Sequence, residues 1–213
     1  MAGHPVDPER RLLLGGCGVV LLGGCESMRD MFDNPTPPTP ASAAVSTTAG
    51  VGGSARPVAA TPADIERRKD VELLNAALAL EYEAIAAYQL AIEGRMLQAP
   101  VQAAFAGFQN DHRQHADAMV KAIGRLGGRP IESKAPSAYP FKTERLQRQA
   151  DALRFAADLE RAAASAYLGA VPAFADKNLA KVAASILGVE TMHWAILNSA
   201  IGAPPVPDPF IKT

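Results

Sequence analysis

The sequence predicts an all-α fold, a four-helix bundle made of two helical hairpins joined by a long crossover. An internal repeat is the first reason: LEYEAIAAY at residues 80–88 returns as LERAAASAY at residues 159–167, with Leu, Glu, Ala, Ala and Tyr at a constant offset of 79. The second is that each copy continues alike, His115 and Ala122, Ile123, Gly124 recurring as His193 and Ala200, Ile201, Gly202 at an offset of 78. The third is a helical period of buried-type residues in four segments, each carrying Glu or His on its apolar stripe. One Glu kept in the first helix and one His in the second of each copy suggests a site built from both copies.

The first helix is predicted over about residues 62–94. Thr61, Pro62 and Asp64 supply an N-cap, a first-turn proline and an acidic third position. The stripe then runs Leu74, Ala77, Glu81, Ala84, Ile85, Tyr88, Ile92, up to Gly94. A second helix opens at Pro100 with the stripe Val101, Phe105, Phe108, His112, His115, Met119, Ile123, and is stopped by Gly124 and Gly127. The third begins after Thr143, carries Leu146, Leu153, Ala157, Glu160, Ala164 and Tyr167, and ends at Pro172. The fourth carries Leu179, Val182, Ile186, Glu190, His193 and Leu197 before Gly202. Between the second and third lies a stretch including GRPIESKAPSAYPFKTER, with three prolines and no helical period, which reads as a crossover and not a hairpin turn.

Only about residues 62–203 have the composition of a folded core. Residues 1–25 read as an export signal: Arg10 and Arg11 precede an uncharged run from Leu12 to Gly24, too short to span a membrane as a helix. The paired arginines are twin-arginine-like, although Glu9 and Leu13 depart from that motif. Leu22, Gly23, Gly24 and Cys25 resemble a bacterial lipobox, so two readings stand, an ordinary cleaved signal or a membrane tether through a lipid on Cys25. Residues 26–61 are rich in Pro, Ala, Ser, Thr and Gly and read as a disordered linker.

The net charge is −1, with both signs interspersed, which argues against nucleic acid as a partner. Both cysteines, Cys17 and Cys25, lie in the N-terminal segment, so the folded domain has neither a disulfide nor a thiolate. A metal bound there must be held by oxygen and nitrogen. The sequence neither implies nor excludes an oligomer, because assembly depends on surface complementarity that one sequence does not expose.

From about residue 68 to 210 the chain resembles the ferritin-like superfamily, especially exported bacterial proteins of the desiccation-related type. The resemblance is carried by ALALEYEAIAAY, HADAM followed by LGGRPI, LERAAASAY, and GVETMHWAIL closing with PPVPDPF. It implies that each hairpin gives a lone Glu from its first helix and a Glu-x-x-His pair from its second. Carried over by position, the metal ligands are Glu81, His115, Glu160, Glu190 and His193, with His112 standing where the pattern has Glu. The metal would be iron or manganese, with zinc equally suited to the donor set. The reaction, if there is one, would be oxygen or peroxide chemistry; no catalytic residue is assigned.

His112 is the departure that matters. Such a Glu bridges two metals, whereas a neutral imidazole offers one lone pair to one metal. Three carboxylates and three imidazoles also supply a charge of −3 in place of −4. A single metal or an asymmetric pair follows. Asp111, about 100° around the helix from His112, is better placed to face solvent or to orient a ligand than to replace one. Gln109 is out of register for the lost Glu. Tyr88 and Tyr167 are expected to be core tyrosines bonded to carboxylates, Phe105, Phe108 and Met119 to be core, and Trp194 to pack at the flank of the first or third helix. The competing reading is a non-enzymatic envelope or stress-related scaffold, a bundle whose internal Glu and His residues pair with one another and bind no metal or a structural one.

Overall fold

The computed structural model describes residues 60–211; residues 1–25, read above as an export signal with Cys17 and Cys25, and nearly all of the stretch read as a linker lie outside the described residues. Among the described residues four long helices form, α1 (Pro62–Glu93), α2 (Ala99–Arg125), α3 (Gln149–Ala170) and α4 (Lys177–Ala200), with short 3-10 turns at Pro136–Ala138, Thr143–Arg145 and Val171–Ala173. No strand occurs among the described residues. None of the described helices is long and apolar enough to cross a membrane. The helices pack as two hairpins, α1 on α2 and α3 on α4, with α1 also against α3. A shared core of Tyr88, Phe105, Phe108, Leu153, Ala156 and Leu197 draws on all four, and Trp194 lies half-buried against it.

The helix starts follow local chemistry. At α1, Thr61 Oγ1 accepts from the Asp64 N–H (3.2 Å) and Asp64 accepts from the Thr61 N–H (3.1 Å), a reciprocal cap that satisfies two otherwise free donors. The Thr61 hydroxyl, which donates to Asp64 Oδ2 (2.7 Å), and the Thr61 N–H, with Arg67 alongside, hold the exposed Asp64 carboxyl down to about 2. At α4, Asp176 accepts from the Asn178 N–H (2.7 Å).

Two boundaries differ from the sequence expectation. α3 begins at Gln149 and not after Thr143, so Leu146 lies outside it. The reason is the position of the first acidic acceptor: Asp151 takes the Arg148 N–H (3.0 Å) and guanidinium, while Thr143–Arg145 closes its own 3-10 turn. α2 passes through Gly124 and ends at Arg125, where Gly127 adopts φ +73° and the Gly128 N–H returns to Ile123 O (2.9 Å). α4 ends in the same way, with Gly202 at φ +75° and the Ala203 N–H on Asn198 O (2.9 Å). The repeated Ala-Ile-Gly therefore ends α4 but lies inside α2.

Gly128 also marks a close approach. A Cβ there would sit 2.6 Å from Val71 Cγ1, so the crossover leaves α2 pressed against α1. Asn75 fixes it by donating to Arg129 O (3.2 Å) and accepting from the Ile131 N–H (2.9 Å). The stripe on α1 is wider than expected, with Leu78, Ala87 and Ala91 buried and Ile85 and Ile92 only half-buried. A helix that packs against two neighbours buries two adjoining strips. Buried Asp70 uses this second strip, accepting from the Ala175 (2.8 Å) and Asp176 (2.9 Å) N–H groups of the α3–α4 connection.

Candidate metal centre

Six polar side chains meet inside the bundle: Glu81 from α1, His112 and His115 from α2, Glu160 from α3, and Glu190 and His193 from α4. All six are buried, none more than 7% exposed. The helical spacing of three between His112 and His115, and between Glu190 and His193, puts each pair one turn apart on the same face. They form two overlapping groups, Glu81, His112, His115, Glu190 and His112, Glu160, Glu190, His193, in each of which the four potential ligand atoms lie within 4.8 Å of one another. His112 and Glu190 belong to both.

His112 occupies the middle. Its Nδ1 lies 2.7 Å from Glu81 Oε2, its Nε2 3.3 Å from Glu160 Oε1, and Glu190 Oε1 is 3.8 Å from Nδ1. His115 Nδ1 stands 3.1 Å from Glu190 Oε1 and 3.6 Å from Glu81 Oε2. On α4, His193 turns Nε2 toward Asp111 Oδ2 (3.2 Å) and keeps Nδ1 3.5 Å from Glu160 Oε1. Asp111, with its side chain 40% exposed, thus orients a histidine from the opposite hairpin.

The two tyrosines bind across the repeat. Tyr88 donates to Glu160 Oε1, and Tyr167 donates to Glu81 Oε1. Phe108 stacks on His193 with ring centroids 4.1 Å apart, and Met119 lies buried beside Tyr167. Gln109 stays outside the cluster, donating to Ile85 O and Gln89 Oε1 (both 2.9 Å). Asp70 and Asn75 are polar anchors that periodicity alone does not signal, because their partners are backbone groups of distant connections.

Electrostatics differ among the three carboxyls. Burial pushes Glu81 up, but the bond from His112 and the nearness of His112 and His115 outweigh it and hold Glu81 down at about 2. Glu160 is likewise held well below the carboxylate range, as Glu190, His112 and His193 overcome burial. Glu190 goes the other way, to about 8, because burial and the adjacent Glu160 outweigh the pull of His115 and His112. Burial lowers the histidines, yet their carboxylates raise His115 and His193 to about 9 and His112 well above its ordinary range. Burial and their acceptor carboxylates push both tyrosines well up, so they remain phenols and donors.

Among the described residues, five buried ligand-type atoms have no hydrogen-bond partner: His115 Nδ1, Glu160 Oε2, both oxygens of Glu190, and His193 Nδ1. Orphaned polar atoms at such density are costly, about 1–3 kcal/mol each or more when charged. They are also the donor set that a divalent cation uses. The residues present therefore fit a metal held by nitrogen and oxygen.

Comparison with solved structures places the fold among known ones. A conserved hypothetical protein from Mycobacterium tuberculosis superposes with a TM-score of 0.58 at 23% identity, over 68% of this chain and 99% of that one. A ferritin-like, diiron-carboxylate protein from Bacillus anthracis gives 0.53 at 21%, over 64% and 97%. The bacterioferritin of Desulfovibrio desulfuricans, with its diiron site, gives 0.57 at 21%, over 72% and 99%. No curated protein matches the chain. The family model for the ferritin-like domain matches residues 69–203, the span that contains all four helices' buried polar positions, and the chain belongs to that family.

Proposed function

We propose that the chain is an exported ferritin-like metal-binding protein whose centre takes iron or manganese among Glu81, His112, His115, Glu160, Glu190 and His193. One observation carries the reading: five buried ligand-type atoms without a hydrogen-bond partner all belong to the six side chains that stand close enough together to hold a metal. Iron is favoured by the neighbours, since two of them are described as diiron proteins. Bound iron or manganese would supply redox chemistry toward oxygen or peroxide. The chain's own residues orient the donors, through Tyr88, Tyr167 and Asp111, and close the site with Phe108 and Met119. Export is supported by Arg10, Arg11 and the uncharged run that follows, and a lipid tether by Leu22 to Cys25.

Elemental analysis of the protein purified without added metal tests the proposal. Iron or manganese in stoichiometric amount supports it, and zinc alone would make the site structural or hydrolytic. A second reading has its own observation in favour. His112 lies between Glu81 and Glu160, where an imidazolium neutralises both carboxylates without any metal. A scaffold bundle of that kind would be purified metal-free and stay so when metal is offered.

A further inference from the structure

We infer that the cluster holds one metal ion off-centre, bound by His112 Nε2, Glu160, Glu190 and His193 Nδ1, with Glu81 acting as the hydrogen-bond partner of His112 and not as a ligand. This rests on the metal-binding reading above and specifies which half of the cluster is used.

The argument begins with Glu81, the one carboxylate of the three with both oxygens engaged. Oε1 accepts from Tyr167, and Oε2 lies 2.7 Å from His112 Nδ1. A carboxylate can only accept, so Nδ1 carries the proton of that bond. Nε2 makes the longer contact, 3.3 Å to Glu160 Oε1, so it is the nitrogen whose proton a metal would displace and whose lone pair it would take. His193 is set up alike from the other side. Its Nε2 is turned to Asp111 Oδ2 at 3.2 Å, which leaves Nδ1 buried, unpartnered and facing Glu160 and Glu190. Each histidine thus gives its shorter carboxylate contact to one nitrogen, Glu81 for His112 and Asp111 for His193, and turns the other toward the same space beside Glu160, the arrangement that orients metal-bound imidazoles.

The oxygens agree. Glu160 spends Oε1 on Tyr88 and keeps Oε2 unpartnered, and both oxygens of Glu190 are unpartnered. Two imidazoles and two carboxylates make a four-donor set whose charge neutralises a divalent ion. The other half lacks one. With Glu81 and His112 Nδ1 engaged with each other, only His115 Nδ1 and Glu190 remain there, and Glu190 is already committed. The exchange of Glu for His at position 112 therefore moves the site and not merely weakens it.

Cobalt(II) titration of the full-length protein, followed by its visible absorption, tests the inference together with a crystal structure of the cobalt-loaded protein using anomalous scattering. Expected are one ion per chain and an anomalous peak within about 2.0–2.3 Å of His112 Nε2 and His193 Nδ1. His193→Gln should abolish the absorption, and His115→Gln should keep it at one ion per chain. Two ions of equal affinity would overturn the inference. So would one ion lost in His115→Gln and retained in His193→Gln, or a peak bonded to Glu81. No cobalt bound by a protein with native circular dichroism would instead overturn the metal-binding reading itself. If a variant fails to fold, the anomalous peak in the unmodified protein decides.

Discussion

Tyr88 donates its phenolic proton to Glu160, a residue of the other hairpin, and Tyr167 returns the same bond to Glu81. The partners run in opposite order along the two helices, which requires α1 and α3 to be antiparallel. Each copy of the repeat therefore completes the other's carboxylate. Tyr88→Phe keeps the ring packing against Phe105 (centroids 5.0 Å) but strips a hydrogen bond from a buried charge. We expect a loss of about 1–3 kcal/mol by urea denaturation. A loss below about 0.5 kcal/mol would mean that the bond contributes nothing.

Metal should raise the melting temperature, because a ligand bound only by the folded state stabilises it by mass action, about 2.7 kcal/mol at a hundredfold excess over Kd. Differential scanning calorimetry with graded iron, manganese and zinc checks this. A curve that does not move with any of them supports the scaffold reading.

The metal-free domain should lose stability as pH rises from about 6.5 to 9. His115 and His193 are raised to about 9 and Glu190 to about 8, so over this window the native state binds more protons than the unfolded chain. Their contribution is complete below the unfolded values and fades as each folded value is passed. Metal binding, which competes with those protons, should strengthen over the same range. Melting curves at several pH values, with and without metal, would show the two trends with opposite sign.

His112→Glu should raise metal stoichiometry from one toward two per chain. It restores the Glu-x-x-His spacing on α2 that α4 retains, and frees Glu81 from its bond to His112. Equal and tight binding of two ions by the unmodified protein would show that another group does the bridging.

Cys25→Ser should move the protein from the membrane to the soluble envelope fraction if Cys25 carries a lipid. Fractionation followed by immunoblotting checks it. Unmodified protein found soluble in the envelope would leave the ordinary cleaved signal.

Period, repeat and capping residues determine four helices, their buried faces and the six polar positions, because a helix's face is set by its own spacing of 3.6 residues. Thr61 and Asp64 cap α1 as their spacing dictates, and Glu81, His115, Glu160, Glu190 and His193 lie inward because they share stripes with Leu and Ala. Other features belong to the tertiary structure alone. That Tyr88 meets Glu160 and not Glu81, that His112 turns Nδ1 to Glu81, and that Asp111 reaches His193 depend on the register between different helices, the paired residues lying 72, 31 and 82 positions apart in sequence. Asp70 and Asn75 look like ordinary polar residues until the chain folds back to bring backbone donors against them. Local period carries no information on how one helix slides or rotates against another; that is fixed only by packing contacts made once the two hairpins close.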